Sequence, residues 1–178
     1  MSDTIKNPSK LPGILALILA LLLVLGFVVP HMSLTGEYRD QADVAGLLPL
    51  EEELGINASD LKDLSFLKYD LWFLRAGAIT TNDMAIMSLI LGGLSLLILL
   101  FAAVRRATPL IIFSLIFISA YKFTTESYMT RVGSDGPYDW AIGHTLWQVC
   151  PFLLVAVGVW LFVTKIIYKT RVRNAQRG

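Results

Sequence analysis

Four stretches of this chain are apolar for about the length that a lipid bilayer demands, and nothing else in the sequence limits the fold so tightly. They are Leu11 to Val29, Met84 to Val104, Thr108 to Phe123 and His144 to Tyr168. A helix crossing the hydrocarbon core needs about 20 mostly apolar residues. Backbone groups must be paired in lipid, so such a run is helical or belongs to a closed barrel. None of the four alternates as barrel strands do, which predicts four transmembrane helices. Pro12 stands at a helix-start position in the first run. That run is long for the apolar part of a signal peptide. Only GFVVPHMS follows it, with no small-x-small cleavage site, so it reads as an uncleaved helix.

Composition supports this class. Of 178 residues, 55% are hydrophobic and only 16% are charged, against about 25% charged in a soluble domain. A disordered tail, a disulfide-stapled secreted module and an ordinary nucleic-acid-binding domain are excluded. The net charge of +1 gives no reason to expect nucleic acid as a partner. Cys150 is the only cysteine. An intramolecular disulfide, a multi-thiolate zinc site and a Cys-x-x-Cys redox centre are therefore impossible.

Charge sets the expected orientation. If both termini share a side, the segments there hold Lys6, Lys10, Arg105, Arg106, Lys165, Lys169, Arg171, Arg173 and Arg177 against Asp3 alone. The remainder holds six bases and thirteen acids. Lys and Arg near helix ends favour the cytoplasm. Both termini are thus expected inside a plasma (inner) membrane, with Arg105, Arg106, Lys165, Lys169, Arg171 and Arg173 as the inner-leaflet anchor.

The expected fold is an all-α membrane protein: a four-transmembrane-helix bundle with a small helical extracytoplasmic cap between helices 1 and 2. Its segments are a cytoplasmic N-terminus (1–10), the first helix (11–30), an acidic helical outer segment (31–83) and the second helix (84–104). A cytoplasmic turn (105–107), the third helix with its outer extension (108–128), an outer loop (129–143), the fourth helix (144–168) and a basic tail (169–178) complete it.

Within the outer segment, NASDLKDLSFLKYDLWFLRAG places Leu61, Leu64, Leu67 or Lys68, Leu71 and Leu74 at three- and four-residue steps. That spacing predicts a helix capped by Asn57 or Ser59 and ended by Gly77. A shorter helix over PLEEELG is expected before it, with Pro49 at its start. Leu64, Leu71, Trp72 and Phe73 are the candidate partner surface. The plainer reading packs them on the membrane helices or lays them on lipid. Asn57-Ala58-Ser59 is a glycosylation sequon. Thr80 or Thr81 is expected to cap the second helix.

Few residues suggest chemistry. Ionisable groups inside a membrane are functional candidates by default. Yet the first, second and fourth apolar cores contain no Asp or Glu, which argues against a small proton-coupled transporter. The outer end of the third helix differs, because YKFTTESY puts Lys122 and Glu126 on one helical face. His31 and His144 fall at the same side of the membrane. These four form a candidate outer-face polar cluster. Its plainer reading is a snorkelling lysine and two interface histidines. Two histidines and one carboxylate are a metal-ligand set by type, but no metal-binding spacing occurs, and neither a metal nor a cofactor is expected. No G-x-S-x-G elbow is present, so no catalytic residue is assigned.

Small residues at four-residue steps, Ala16 with Ala20 and Ser88 with Gly92, predict close helix approach. Phe113, Phe117 and Tyr121 form an aromatic stripe read as helix packing, and Pro151 is expected to kink the fourth helix.

Four helices, internal termini and a long first outer segment resemble the layout of claudin-type tetraspan proteins. The first outer segment of that family carries a Trp…Gly-Leu-Trp…Cys…Cys motif and forms a sheet. Here the segment has no cysteine, Trp72 is its only tryptophan, and its pattern is helical. The resemblance is one of topology, and no functional residue carries over.

The sequence favours a non-catalytic accessory, assembly or scaffold subunit that binds another membrane or exported protein, or a second copy of itself, within the lipid bilayer. The alternatives are an oligomeric channel or transporter subunit, and an outer-face enzyme using Lys122, Glu126 and His144.

Overall fold

The computed structural model describes residues 10–41, 62–77, 82–132 and 138–176. The elements run α1 (Leu11–Val28), β1 (Met32–Leu34), α2 (Gly36–Gln41), β2 (Asp63–Leu64) and α3 (Phe66–Arg75). Then follow α4 (Asp83–Ala103), α5 (Ala107–Val132), β3 (Tyr138–Trp140) and α6 (Ile142–Ala175).

Helices α1, α4, α5 and α6 are long and apolar enough to cross a membrane, which makes this an integral membrane protein. Even α1, with 18 residues, extends about 27 Å at 1.5 Å per residue. Helix α6 continues through Lys169, Arg171 and Arg173 to Ala175, so the expected basic tail is helical for most of its length.

Local chemistry fixes the helix ends. Proline opens α1. The cap of α4 is Asn82, whose side-chain oxygen accepts from Ala85 N–H at 3.0 Å. Thr80 and Thr81 lie outside the described residues. Helix α4 closes through Arg105 N–H to the Ala102 carbonyl (3.1 Å) and Arg106 N–H to the Phe101 carbonyl (2.9 Å). That pair of bonds needs a left-handed residue. Arg105 supplies it at φ 55°, where glycine is usual. Lys165 Nζ donates to the Arg105 carbonyl, tying α6 to this turn.

Helices α1 and α5 each pack against both α4 and α6. Their shared core holds Ala16, Ala20, Leu23, Leu91, Ile98, Leu110, Phe117, Trp147 and Leu154. Ala16, Ala20, Ser88 and Gly92 are all buried, as the spacing of small residues predicts. A Cβ on Gly92 would meet the Phe27 ring at 3.1 Å.

The segment between α1 and α4 differs from expectation. A three-stranded antiparallel sheet, ordered β2-β1-β3, takes two strands from the 31–83 segment, expected to be helical, and one from 129–143, expected to be a loop. Met32 pairs with both Leu64 and Trp140. The sheet joins the segment after α1 to the loop before α6. The expected 57–77 helix begins only at Phe66, with Ser65 as its cap. Asp63 and Leu64 are strand, because β1 offers that backbone a ladder that a helix would forgo. Asp63 also accepts from Ser33 Oγ (2.7 Å) and pairs with Arg39 (3.0 Å). The shorter PLEEELG helix, the Asn57 sequon and Leu61 lie outside the described residues.

Candidate functional site

At the sheet-bearing end of the long helices, three polar side chains from separate parts of the chain form one hydrogen-bonded chain. His31 lies between α1 and β1, Tyr121 on α5 and His144 in the first turn of α6. His31 Nε2 is 2.7 Å from the Tyr121 hydroxyl. That hydroxyl also bonds His144 Nδ1. His31 is fully buried, and His144 is half-buried.

Aromatic rings enclose the chain. The His31 ring lies 4.2 Å from Phe66 and 5.2 Å from Trp147, centroid to centroid. His144 stacks on Trp140 at 4.1 Å. Close backbone approach makes room for this. A Cβ on Gly143 would lie 2.8 Å from the Pro30 oxygen and 2.9 Å from both the Gly26 oxygen and His31 Nδ1. A Cβ on Gly26 would come within 2.6 Å of Trp147 Nε1. Trp147 fills that gap and donates from Nε1 to the Leu23 carbonyl at 2.8 Å, so one indole locks α6 to α1.

Burial holds the His31 imidazole neutral, lowering its pKa from 6.5 to about 3. The neighbouring His144 ring acts in the same sense, and the Gly26 carbonyl opposes both. His31 Nδ1 faces the side of the Gly26 carbonyl, but among the described residues it closes no hydrogen bond of good geometry.

A second polar contact holds α3 to α4. Ser88 Oγ donates to Asp70 Oδ1, and Asp70 is only 3% exposed. Among the described residues, its other oxygen has no hydrogen-bond partner. Burial therefore pushes the Asp70 carboxyl from 3.8 up to about 6, against the Ser88 hydrogen bond. Tyr69 adds a hydroxyl donated to Asn82 at 3.2 Å.

The structure thus brings His31 and His144 together, through Tyr121. Lys122 and Glu126 form their own exposed pair at 3.7 Å. Lys122 also lines a groove of about 210 Å³ on the α5–α6 seam, shared with Tyr121, His144 and Gln148. Among the described residues, no three His, Cys, Asp or Glu side chains come together to hold a metal ion. Sequence reasoning missed Tyr121, Phe66, Trp140 and Trp147 as members of the cluster, and Asp70 entirely. Glycines beside bulky rings, Gly26 and Gly143, were the available signal.

The expected partner surface divides. Leu64 and Trp72 are buried against Met32 and Tyr138, so they do not form an outward face. Phe73 lies against Tyr69, with ring centroids 4.8 Å apart. Leu71 and Leu74 remain exposed, at 40% and 59%. The basic anchor residues occupy the other end of the long helices, around the α4–α5 turn and the end of α6.

Comparison with protein-family models, curated proteins and solved structures found no match.

Proposed function

We propose that this protein is a non-catalytic accessory or scaffold subunit of the plasma (inner) membrane that binds another membrane or exported protein. In this reading α1, α4, α5 and α6 form a transmembrane four-helix bundle. The sheet, α2 and α3 cap it outside the cytoplasm, and both termini lie in the cytoplasm. The distribution of Lys and Arg at the two helix ends supports that orientation.

The observation that carries the functional reading is the outward ridge of α3. Phe66 and Asp70 face inward, and Trp72 is buried in the sheet cluster. Leu67, Leu71 and Leu74, at steps of four and three, form a stripe that is half-buried at Leu67 and exposed at the other two. An apolar stripe outside the membrane helices matches a docking surface on a neighbouring protein. The interior of the long helices is filled by Leu, Ala, Phe and Trp, so the surfaces left for function face outward.

The test is purification from the native membrane in mild detergent, comparing the natural chain with Leu74→Glu. A companion protein or second copy at constant stoichiometry, lost in Leu74→Glu while the chain stays folded, is the expected result. A chain that emerges alone every time contradicts the reading.

A further inference from the structure

The α5–α6 groove is amphipathic along its length. Lys122, Thr125 and His144 lie toward the sheet end, while Ile118 and Phe152 lie toward the basic end. From His144 to Phe152 it runs about 12 Å along α6. Gln148 stands between, its side chain exposed and in no hydrogen bond among the described residues, just before a stretch of α6 that is apolar from Val149 to Val163. An uncommitted carboxamide there costs free energy in hydrocarbon unless something pairs with it.

The buried chain sets what His144 offers to this groove. The Gly26 carbonyl lacks its helical donor, because the residue four positions on is Pro30. The Gly26 oxygen and His31 Nδ1 face the same gap beside Gly143. A carbonyl can only accept, so Nδ1 carries the His31 proton. Nε2 then accepts from the Tyr121 hydroxyl, and the Tyr121 oxygen accepts from His144 Nδ1–H. His144 Nε2 is left as an acceptor. Nearby, Lys122 supplies a cation, held only by a long, exposed pair with Glu126 at 3.7 Å.

We infer that the groove binds the head of an anionic, hydroxyl-bearing membrane lipid. A headgroup hydroxyl donates to His144 Nε2, and the phosphate pairs with Lys122. The Gln148 amide donates to a phosphate or ester oxygen, and an acyl chain follows Ile118 and Phe152. A volume of about 210 Å³ suits a head of glycerol-phosphate size. This inference rests on the membrane-spanning reading and is independent of the α3 ridge.

Native mass spectrometry of the detergent-solubilised full chain tests it, with phosphatidylglycerol, phosphatidylcholine, phosphatidylmethanol and soluble glycerol phosphate as probes. Phosphatidylglycerol is expected to be retained about tenfold better than phosphatidylcholine, whose choline cation opposes Lys122 and which offers no hydroxyl to His144. The Lys122→Gln/Gln148→Leu double variant, altered only at exposed positions, is expected to lose that preference. Equal retention of phosphatidylglycerol and phosphatidylcholine overturns the site, as does an unchanged double variant. Phosphatidylmethanol binding as well as phosphatidylglycerol overturns the hydroxyl contact to His144. Glycerol phosphate binding as tightly as the lipid overturns the acyl-chain assignment. Release of the chain from membranes by alkaline carbonate would count against the spanning reading itself.

Discussion

His31 and Tyr121, ninety positions apart, share a buried hydrogen bond of 2.7 Å that joins the end of α1 to the middle of α5. The same hydroxyl reaches His144 on α6. One phenol oxygen therefore ties three chain segments together at the end of the helices that carries the sheet. Removing it leaves a buried imidazole nitrogen unpaired, which costs about 1–3 kcal/mol. Tyr121→Phe is expected to lower stability by that amount, read as a reduced midpoint of thermal unfolding in detergent. An unchanged midpoint would count against the chain as a structural unit.

Glycine at 143 is a matter of space. The Cβ of Gly143→Ala would press on two backbone oxygens and His31 Nδ1 within 3 Å, and overpacking of this kind costs about 1–3 kcal/mol. At Gly93, an added Cβ meets nothing within 4 Å. Gly143→Ala is expected to destabilise the protein in the same unfolding assay, and Gly93→Ala to leave it unharmed. Equal effects would mean that α1 and α6 do not approach as closely as described.

Asp70 makes the attachment of α3 dependent on pH. Its pKa is raised from 3.8 to about 6, so the folded protein holds this proton more tightly than the unfolded chain. The stabilisation is complete below the unfolded value and is lost as pH rises through about 6. His31 acts in the opposite sense. Its pKa is lowered to about 3, so its contribution is complete above 6.5 and erodes as pH falls below that. Asp70→Asn removes the first dependence and keeps a side-chain oxygen for Ser88. Measured against Asp70→Asn, which keeps the His31 dependence, the natural chain is expected to lose protection from proteolysis near α3 between pH 5 and pH 7.5. A natural chain that gains protection relative to Asp70→Asn over that range would reverse the assigned sign.

Arg105 closes α4 at φ 55°, a conformation that costs a non-glycine residue about 1–2 kcal/mol. Arg105→Gly relieves that cost while losing the arginine side chain packed near Gly13. It is expected to be neutral or to stabilise by up to about 1 kcal/mol. Arg105→Val, β-branched in a left-handed position, is expected to destabilise. The two variants compared by unfolding midpoint decide this, and a more stable valine variant would contradict it.

The long helices were legible because lipid imposes a length and a composition that no local detail overrides. The spacing of Ala16, Ala20, Ser88 and Gly92 likewise announced close contacts. The sheet was not legible. Its strands are two or three residues long, too short to show alternation, and β3 pairs with β1 across more than one hundred residues. Those pairings also moved the start of α3 from the expected Asn57 or Ser59 to Ser65 and turned Leu64 and Trp72 inward. His31 and His144 were visible as polar residues at helix ends, but their bridge, Tyr121, looked like one more ring in a packing stripe. Burial of Asp70 arises from the docking of α3 on α4, which a helical pattern alone does not reveal.

In the proposed reading, the polar and apolar recognition surfaces sit at the outer end of a membrane-spanning protein, with the basic end inside. Labelling of intact cells with a membrane-impermeant maleimide tests it most directly, using single cysteines in a Cys150→Ala chain. Leu74→Cys is expected to react in intact cells, and Asn174→Cys only after the membrane is opened. The reverse pattern, or equal reaction of both sites in intact cells, would contradict the account.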